Sequence, residues 1–356
     1  MNRINALKQA AFRKDGFNGF LISNAANLTY FTGFAGASAL LIPENGEITA
    51  YVYGVNYAHA KAELSCAKVE LVERGENLMD RIATQAKTFK IRKLAVDDLE
   101  IEGWRTLARA IGDEKKLAAD PSFIRELRKV KDAEEIKLMR KAAKLTSEGI
   151  RVARETVAAG VREYEVAAEI EYAMRKQGCS GTAFETIVAS GVSSAFPHGG
   201  CSDRQIRRGD LVVVDVGATY GFYRSDMTRT FVAGKPSEKQ RKICQVVKAA
   251  QDKAFEAAKP NVKATAVDTV ARKVIADAGY GEYFVHSLGH GIGLEIHEPP
   301  TLSPDSKDVL ATGNVVTVEP GIYLVGYGGV RIEDTVLMNK NGAEKLTKGP
   351  YTLGAE

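Results

Sequence analysis

The chain has 356 residues, 45% of them hydrophobic and 26% charged, and 49 Lys and Arg against 45 Asp and Glu leave a formal net charge of +4. That length exceeds what one ordinary core fills and predicts two domains, while near-balanced, interspersed charge gives no nucleic-acid footprint. The opening MNRINALKQAAFRKDG holds no apolar run long enough for a signal peptide or a membrane span, and Cys66, Cys179, Cys201 and Cys244 show no C-x-x-C spacing, so the expectation is a soluble, cytoplasmic protein with reduced thiols.

Residues 1–121 alternate short apolar runs (GFLI at 19–22, ALLI at 39–42, KLAV at 93–96) with helix-like stretches such as 77–88. This pattern predicts a small α/β domain in which Tyr30, Phe31 and Phe34 serve packing. Asp120-Pro121-Ser122 breaks it, and the second domain is expected over 122–356. A basic helix is predicted from Phe123 to about Glu135. Its Arg125, Arg128, Lys129 and Lys131 are interleaved with Glu126, Asp132, Glu134 and Glu135, which reads as a solvated face.

Beyond that helix the chain states one layout twice. Ile136, Met139, Ala143, Ile150, Ala153 and Val157 mark one face of a helix, and a second helix with Val166, Ile170 and Ala173 stops at Gly178. Ser237-x-x-Gln240 reads as a capping box opening a helix with Ile243, Val246, Val247, Ala250 and Ala254. Another helix, with Val267, Val270, Val274 and Ala278, ends at Gly279. Each helix pair leads to a β-hairpin, at 211–231 and at 314–337. Matching landmarks lie 101 residues apart for Gly178 and Gly279, 104 for Asp215 and Glu319, and 107 for Asp226 and Glu333. The expected fold class is therefore α+β, with a duplicated unit related by a pseudo-twofold axis.

Asp215 lies inside LVVVDV and Glu319 ends VVTVE, runs that read as buried strands, where a bare carboxylate is costly. Asp226 and Glu333 return on the partner strands. Four crowded carboxylates call for positive charge; Arg or Lys could supply it, and a pair of divalent ions supplies it more completely. Of five histidines, His198, His286, His290 and His297 fall just ahead of the hairpins, and His198 and His297 are 99 apart, matching the repeat. Oxygen donors with one imidazole favour Mn, Co, Fe or Zn over a thiolate site.

VVVDVGA, SDMTRTF, HSLGHGIGLEIHEPP, TVEPGIY and GVRIEDTV occur in that order, and with them the chain resembles the pita-bread metallopeptidase family of proline dipeptidases, Xaa-Pro aminopeptidases and methionine aminopeptidases. Residues 1–121, including NAANLTYFTGFAG at 24–36, resemble its creatinase-type N-terminal domain. The resemblance implies two divalent metal ions, manganese favoured, on Asp215, Asp226, His290, Glu319 and Glu333. It implies substrate-facing His198, His286 and His297, with Tyr323 and Arg331 supporting the ligands. In the implied reaction a metal-bridging hydroxide attacks the scissile carbonyl, Glu319 shuttles the proton, and His198 and His297 steady the oxyanion.

Short proline-containing peptides are the implied substrates, and a homodimer without nucleic-acid or membrane partners is the implied assembly. Thr301 stands where some proline dipeptidases of the family carry an Arg able to meet the dipeptide carboxylate, which weighs toward an aminopeptidase. A methionine aminopeptidase-like activity and a non-catalytic binding module stay as alternatives; Glu295 and Glu298 are read as solvated or supporting groups, and Cys201 as a plain small side chain.

Overall fold

Runs of aliphatic residues that are apolar at every position, rather than at alternate ones, make strands buried on both faces. In the computed structural model, which describes residues 3–14 and 16–354, such strands form the first of two compact units, Met1–Arg128. Its six-stranded mixed sheet runs in the order Lys68–Val72, Thr49–Tyr53, Ala39–Pro43, Gly19–Ile22, Leu94–Val96, Leu117–Ala119. Gly19–Ile22 and Ala39–Pro43 are buried throughout. Tyr30, Phe31 and Phe34 are buried as packing groups. The helix Leu78–Thr88 starts where Asn77 accepts hydrogen bonds from the Met79 and Asp80 amides at 2.9 and 3.2 Å, satisfying donors that a helix leaves open.

Around the start of the second unit, Lys129–Glu356, the chain differs from expectation. Instead of one helix across 123–135 there are two, Ser122–Lys129 and Ala133–Thr156. Asp132 caps the second through a reciprocal capping box with Glu135, both bonds at 2.9 Å, and the Lys131 amide leaves the helix to bond Gly313 O at 2.9 Å. A strong local cap thus overrides continuous helix propensity.

The duplicated α+β layout is present in detail. The capping box of Asp132 and Glu135 has its counterpart in Ser237 and Gln240 at the head of Glu238–Ala257. Glu163–Lys176 and Ala264–Asp277 end alike: Gly178 and Gly279 take left-handed φ of 98° and 83°. Their amides bond Arg175 O and Ala276 O, and the next amides bond Met174 O and Ile275 O, the Schellman arrangement.

Each half then forms an outer strand pair around a smaller inner hairpin. Leu211–Val216 pairs antiparallel with Met227–Val232 around Ala218–Tyr220 and Tyr223–Arg224. Val315–Val318 pairs antiparallel with Asp334–Asn339 around Gly321–Leu324 and Gly328–Arg331. Asp215 sits inside its strand, opposite Thr228. Glu319 lies one residue past Val315–Val318, and Asp226 and Glu333 one residue ahead of Met227–Val232 and Asp334–Asn339. Three of the four acids therefore stand where the ladder opens into the inner hairpin, rather than within the strands. No helix among the described residues is long and apolar enough to cross a membrane.

A Cβ at Gly178 or Gly279 would meet nothing within 4 Å, so only the backbone conformation resists substitution. Gly178→Ala and Gly279→Ala should each cost about 1–2 kcal/mol, read as a lowered urea midpoint at unchanged slope. Variants as stable as the parent would contradict this.

Candidate metal centre

The four acids converge because the two hairpins present their opened ends to one cavity of about 620 Å³. It is lined by Asp215, Asp226, His290, Glu319 and Glu333, together with His198, His286, His297 and Arg331. All five proposed ligands and all three proposed substrate histidines thus share one space. Tyr323 sits behind them, its hydroxyl 2.9 Å from both Arg331 Nη1 and His286 Nε2. The approach of His290 to Glu319 requires a glycine beside it: a Cβ at Gly289 would fall on the Thr317 carbonyl oxygen. The His290 amide meanwhile bonds Thr317 Oγ1 at 3.0 Å.

Asp215 and Glu333 each have one anchored oxygen and one buried oxygen without a partner. Asp215 Oδ2 accepts from Arg331 Nη2 at 2.6 Å, and Glu333 Oε2 from Thr228 Oγ1 at 2.6 Å. Glu319 Oε1 accepts from Thr317 Oγ1 at 3.0 Å. Asp215 Oδ1, Asp226 Oδ1 and Glu333 Oε1 are buried and carry no hydrogen bond. Three such oxygens in one cavity are costly unless a cation faces them.

The titration behaviour states the same conflict. Burial, reinforced by the neighbouring acids, raises the Asp226 and Glu333 carboxyls well above the usual carboxylate range. Burial likewise pushes Glu319 up to about 8 although Arg331 pulls it down. Burial, then repulsion from His297, brings His290 to about 4, so its imidazole is neutral at pH 7. With Nδ1 donating to Gly291 O at 3.1 Å, the unprotonated Nε2 faces Glu319 Oε1 at 3.3 Å and Asp226 Oδ2 at 3.8 Å. Were both carboxylates ionised, acceptor would face acceptor, so this contact calls for a proton or a metal ion between them. One ligand atom each from Asp226, His290 and Glu333 lies within 4.8 Å of the others. The donor set of carboxylate oxygens and one imidazole fits a hard-to-borderline divalent ion.

Around this set stand residues that the sequence reading did not single out. Thr228 and Thr317 orient Glu333 and Glu319 through their hydroxyls, and Thr335 holds Asp226 by accepting from its amide and donating to its carbonyl oxygen. The 107-residue spacing of Thr228 and Thr335 equals that of Asp226 and Glu333, a signal that was present in the sequence. For Glu298 the structure removes the solvated alternative. Glu298 is buried and pairs with Lys131 at 2.6 Å, the side chains 3% and 1% exposed, because the chain folds Lys131 back over the strand Glu298–Leu302. Glu295 is only partly exposed, its amide 3.4 Å from Glu298 Oε2. Burial pushes the Cys201 thiol up to about 11, in keeping with an unreactive side chain.

Residues 137–340 match the model of metallopeptidase family M24, and residues 3–130 that of the creatinase/prolidase N-terminal domain. The Xaa-Pro dipeptidase of Pyrococcus furiosus is 43% identical over 328 residues, 92% of either chain. Among solved structures, the prolidase of Pyrococcus horikoshii OT3 superposes with a TM-score of 0.92 at 40% identity, covering 99% of this chain and 100% of its own. The X-Pro aminopeptidase of Thermotoga maritima MSB8 superposes with a TM-score of 0.87 at 38% identity, covering 95% and 97%.

An acid whose folded pKa is raised binds more protons folded than unfolded between its two pKa values, so stability falls as pH rises through that window. For Glu319 the window runs from the ordinary 4.5 to about 8, with Asp226 and Glu333 shifted the same way. Chelator-treated protein should therefore lose thermal stability from about pH 5 to about pH 8, and manganese should raise its Tm more at the upper pH. A flat Tm with no metal effect would contradict the site.

Proposed function

The chain belongs to metallopeptidase family M24 and is a peptidase, and on that premise we propose that it hydrolyses Xaa-Pro bonds as an Xaa-Pro dipeptidase, with two divalent ions on Asp215, Asp226, His290, Glu319 and Glu333. The observation that carries this reading is the trio of buried, hydrogen-bond-free carboxylate oxygens beside a neutral His290. The 43% identity to an Xaa-Pro dipeptidase supports the substrate class. Manganese as the favoured metal and a homodimer rest on the resemblance of the sequence motifs, and a cytoplasmic setting on four cysteines without disulfide or metal-site spacing.

Divalent ions held by this set supply the Lewis acidity that polarises a carbonyl and lowers the pKa of water. The chain's own groups do the rest. An Xaa-Pro bond is a tertiary amide without N–H, so the site must grip the pyrrolidine ring by shape. Phe184, Ile187, Pro197 and Ile296 line the cavity and offer apolar surface for it. The departing prolyl nitrogen needs a proton, and Glu319, steadied by Thr317, is positioned to hold one and pass it on. His198 and His297 face the cavity and can orient the substrate and donate to the developing oxyanion. His286 is fixed between Ser287 O at 2.7 Å and Tyr323 OH at 2.9 Å, which suits it to shaping the wall beside them.

One observation favours the Xaa-Pro aminopeptidase as a second reading. Arg331 is the one Lys or Arg among the described residues lining the cavity, and it is committed to Asp215 and Tyr323. Thr301 lines the cavity too and brings no charge to a dipeptide carboxylate, which leaves room for a longer peptide. Comparing kcat/KM for Ala-Pro and Ala-Pro-Ala separates the readings. The dipeptidase requires a preference of at least about tenfold for Ala-Pro, roughly 1.4 kcal/mol, and the reverse preference assigns the aminopeptidase. Glu319→Gln should lower kcat by about 10²- to 10⁴-fold with the fold retained by circular dichroism; near-normal turnover would remove Glu319 from the proton path.

A further inference from the structure

His198 is exposed, yet both ends of the segment that carries it are tied to a single buried side chain. Glu163 opens the helix Glu163–Lys176 and is 1% exposed. Its Oε1 accepts from Ser190 N at 2.7 Å and Ser190 Oγ at 2.6 Å, and its Oε2 from Ser202 N at 3.0 Å and Ser202 Oγ at 2.6 Å. Those two serines bracket residues 191–201, the segment that carries Pro197 and His198. Further along, the segment is held by Gly329 N donating to Ser194 Oγ at 3.0 Å and Arg331 Nη1 donating to Pro197 O at 3.3 Å.

The other half of the duplicated unit does the same thing with different chemistry. Asp268, on the helix Ala264–Asp277, is 1% exposed and accepts from Leu288 N at 3.1 Å. It also grips Arg272 through two bonds of 2.8 Å, and Arg272 donates to Phe284 O at 3.0 Å and His286 O at 2.9 Å. In each half, then, the second helix sends one buried carboxylate to the backbone that carries a cavity histidine.

We propose that Glu163 is a positioning residue for the reaction, fixing where His198 meets the substrate. This deepens the peptidase reading and rests on the placement of His198 in the cavity. Two features separate Glu163 from an ordinary core anchor. Its four bonds all go to the two residues flanking the His198 segment, and none goes to a candidate metal ligand. A carboxylate is also the side chain those bonds demand: both oxygens must accept, each from a backbone N–H and a hydroxyl. Glutamine keeps the shape but turns an NH₂ toward one of the two amides, which loses its acceptor and loosens that end of the loop, where Val188 N donating to Gly200 O at 3.1 Å and Arg204 on Ser190 Oγ remain.

The test is a double-mutant cycle. Glu163→Gln is made in the parent and in the His198→Ala background, with kcat and KM for Ala-Pro, bound manganese and Tm measured on each purified, metal-loaded protein. Glu163→Gln should lower kcat/KM by about 10- to 100-fold in the parent with bound manganese unchanged. In the His198→Ala background it should change kcat/KM within about twofold, because the group it places is gone, while the Tm shift stays the same in both backgrounds. Ser202→Ala, which removes one hydroxyl donor and leaves the amide, gives a milder version if Glu163→Gln does not fold. Equal losses in both backgrounds, or no loss in the parent, overturn the proposal. A silent His198→Ala single variant overturns the reading of His198 itself and the proposal with it, and is told apart because it fails before Glu163 is changed.

Discussion

Four carboxylates forced into one poorly solvated cavity repel one another, and this constraint governs the second unit. Arg331 relieves part of it by pairing with Asp215 at 2.6 Å. One guanidinium cannot answer four acids, and Arg331 spends its remaining donors on Tyr323, Thr228 and Pro197 O. What remains is carried as raised proton affinity on Asp226, Glu319 and Glu333. Threonine hydroxyls and strand registers, contacts made within the chain itself, hold these acids in place.

Duplication explains how a chain can assemble such a cluster. Each half folds locally into two helices, an outer strand pair and an inner hairpin, and each needs only one acid where the strand enters the hairpin and one where it returns. Bringing two copies face to face doubles the charge without any single segment becoming unfoldable. The symmetry is then broken where chemistry needs it. His290 comes from the strand Gly289–Gly291 of the second half, and Arg331 from its inner hairpin, while the first half gives the His198 loop. A shared scaffold thus carries unlike tasks on its two sides.

Much of this was legible in the sequence because it follows from local pattern. Acids inside LVVVDV and after VVTV violate apolar periodicity, and the similar spacings of Gly178 and Gly279 (101) and of Asp226 and Glu333 (107) expose the repeat. The break at residues 130–132 was not legible, since the cap of Asp132 and the pull of Gly313 on Lys131 compete with a strong helix pattern. Nor were the long-range contacts. Glu298 looks like a surface residue in sequence and becomes buried only because Lys131, far away along the chain, reaches it. Glu163 reads as one more acid in a helical first turn until Ser190 and Ser202 close on it.

Burial alone does not distinguish the buried acids of this fold from one another; the pairing of their oxygens does. Glu333 and Asp334 are neighbours, both essentially without solvent exposure, and strand alternation sends them to opposite sides. Asp334 accepts from Arg229, Gln251, Thr347 and Tyr351 and lies 3.2 Å from Lys345. Burial would raise its pKa, but Arg229 and Lys345 bring it below the usual carboxylate value. Glu333 keeps one oxygen without a hydrogen bond and moves the other way. Glu163 and Asp268 belong with Asp334, their oxygens taken up by donors, while Asp215 and Asp226 belong with Glu333. Saturated acids hold backbone in place, and unsaturated ones are held in place by it. The same physical cost of burial is thereby met within the chain at one set and not at the other.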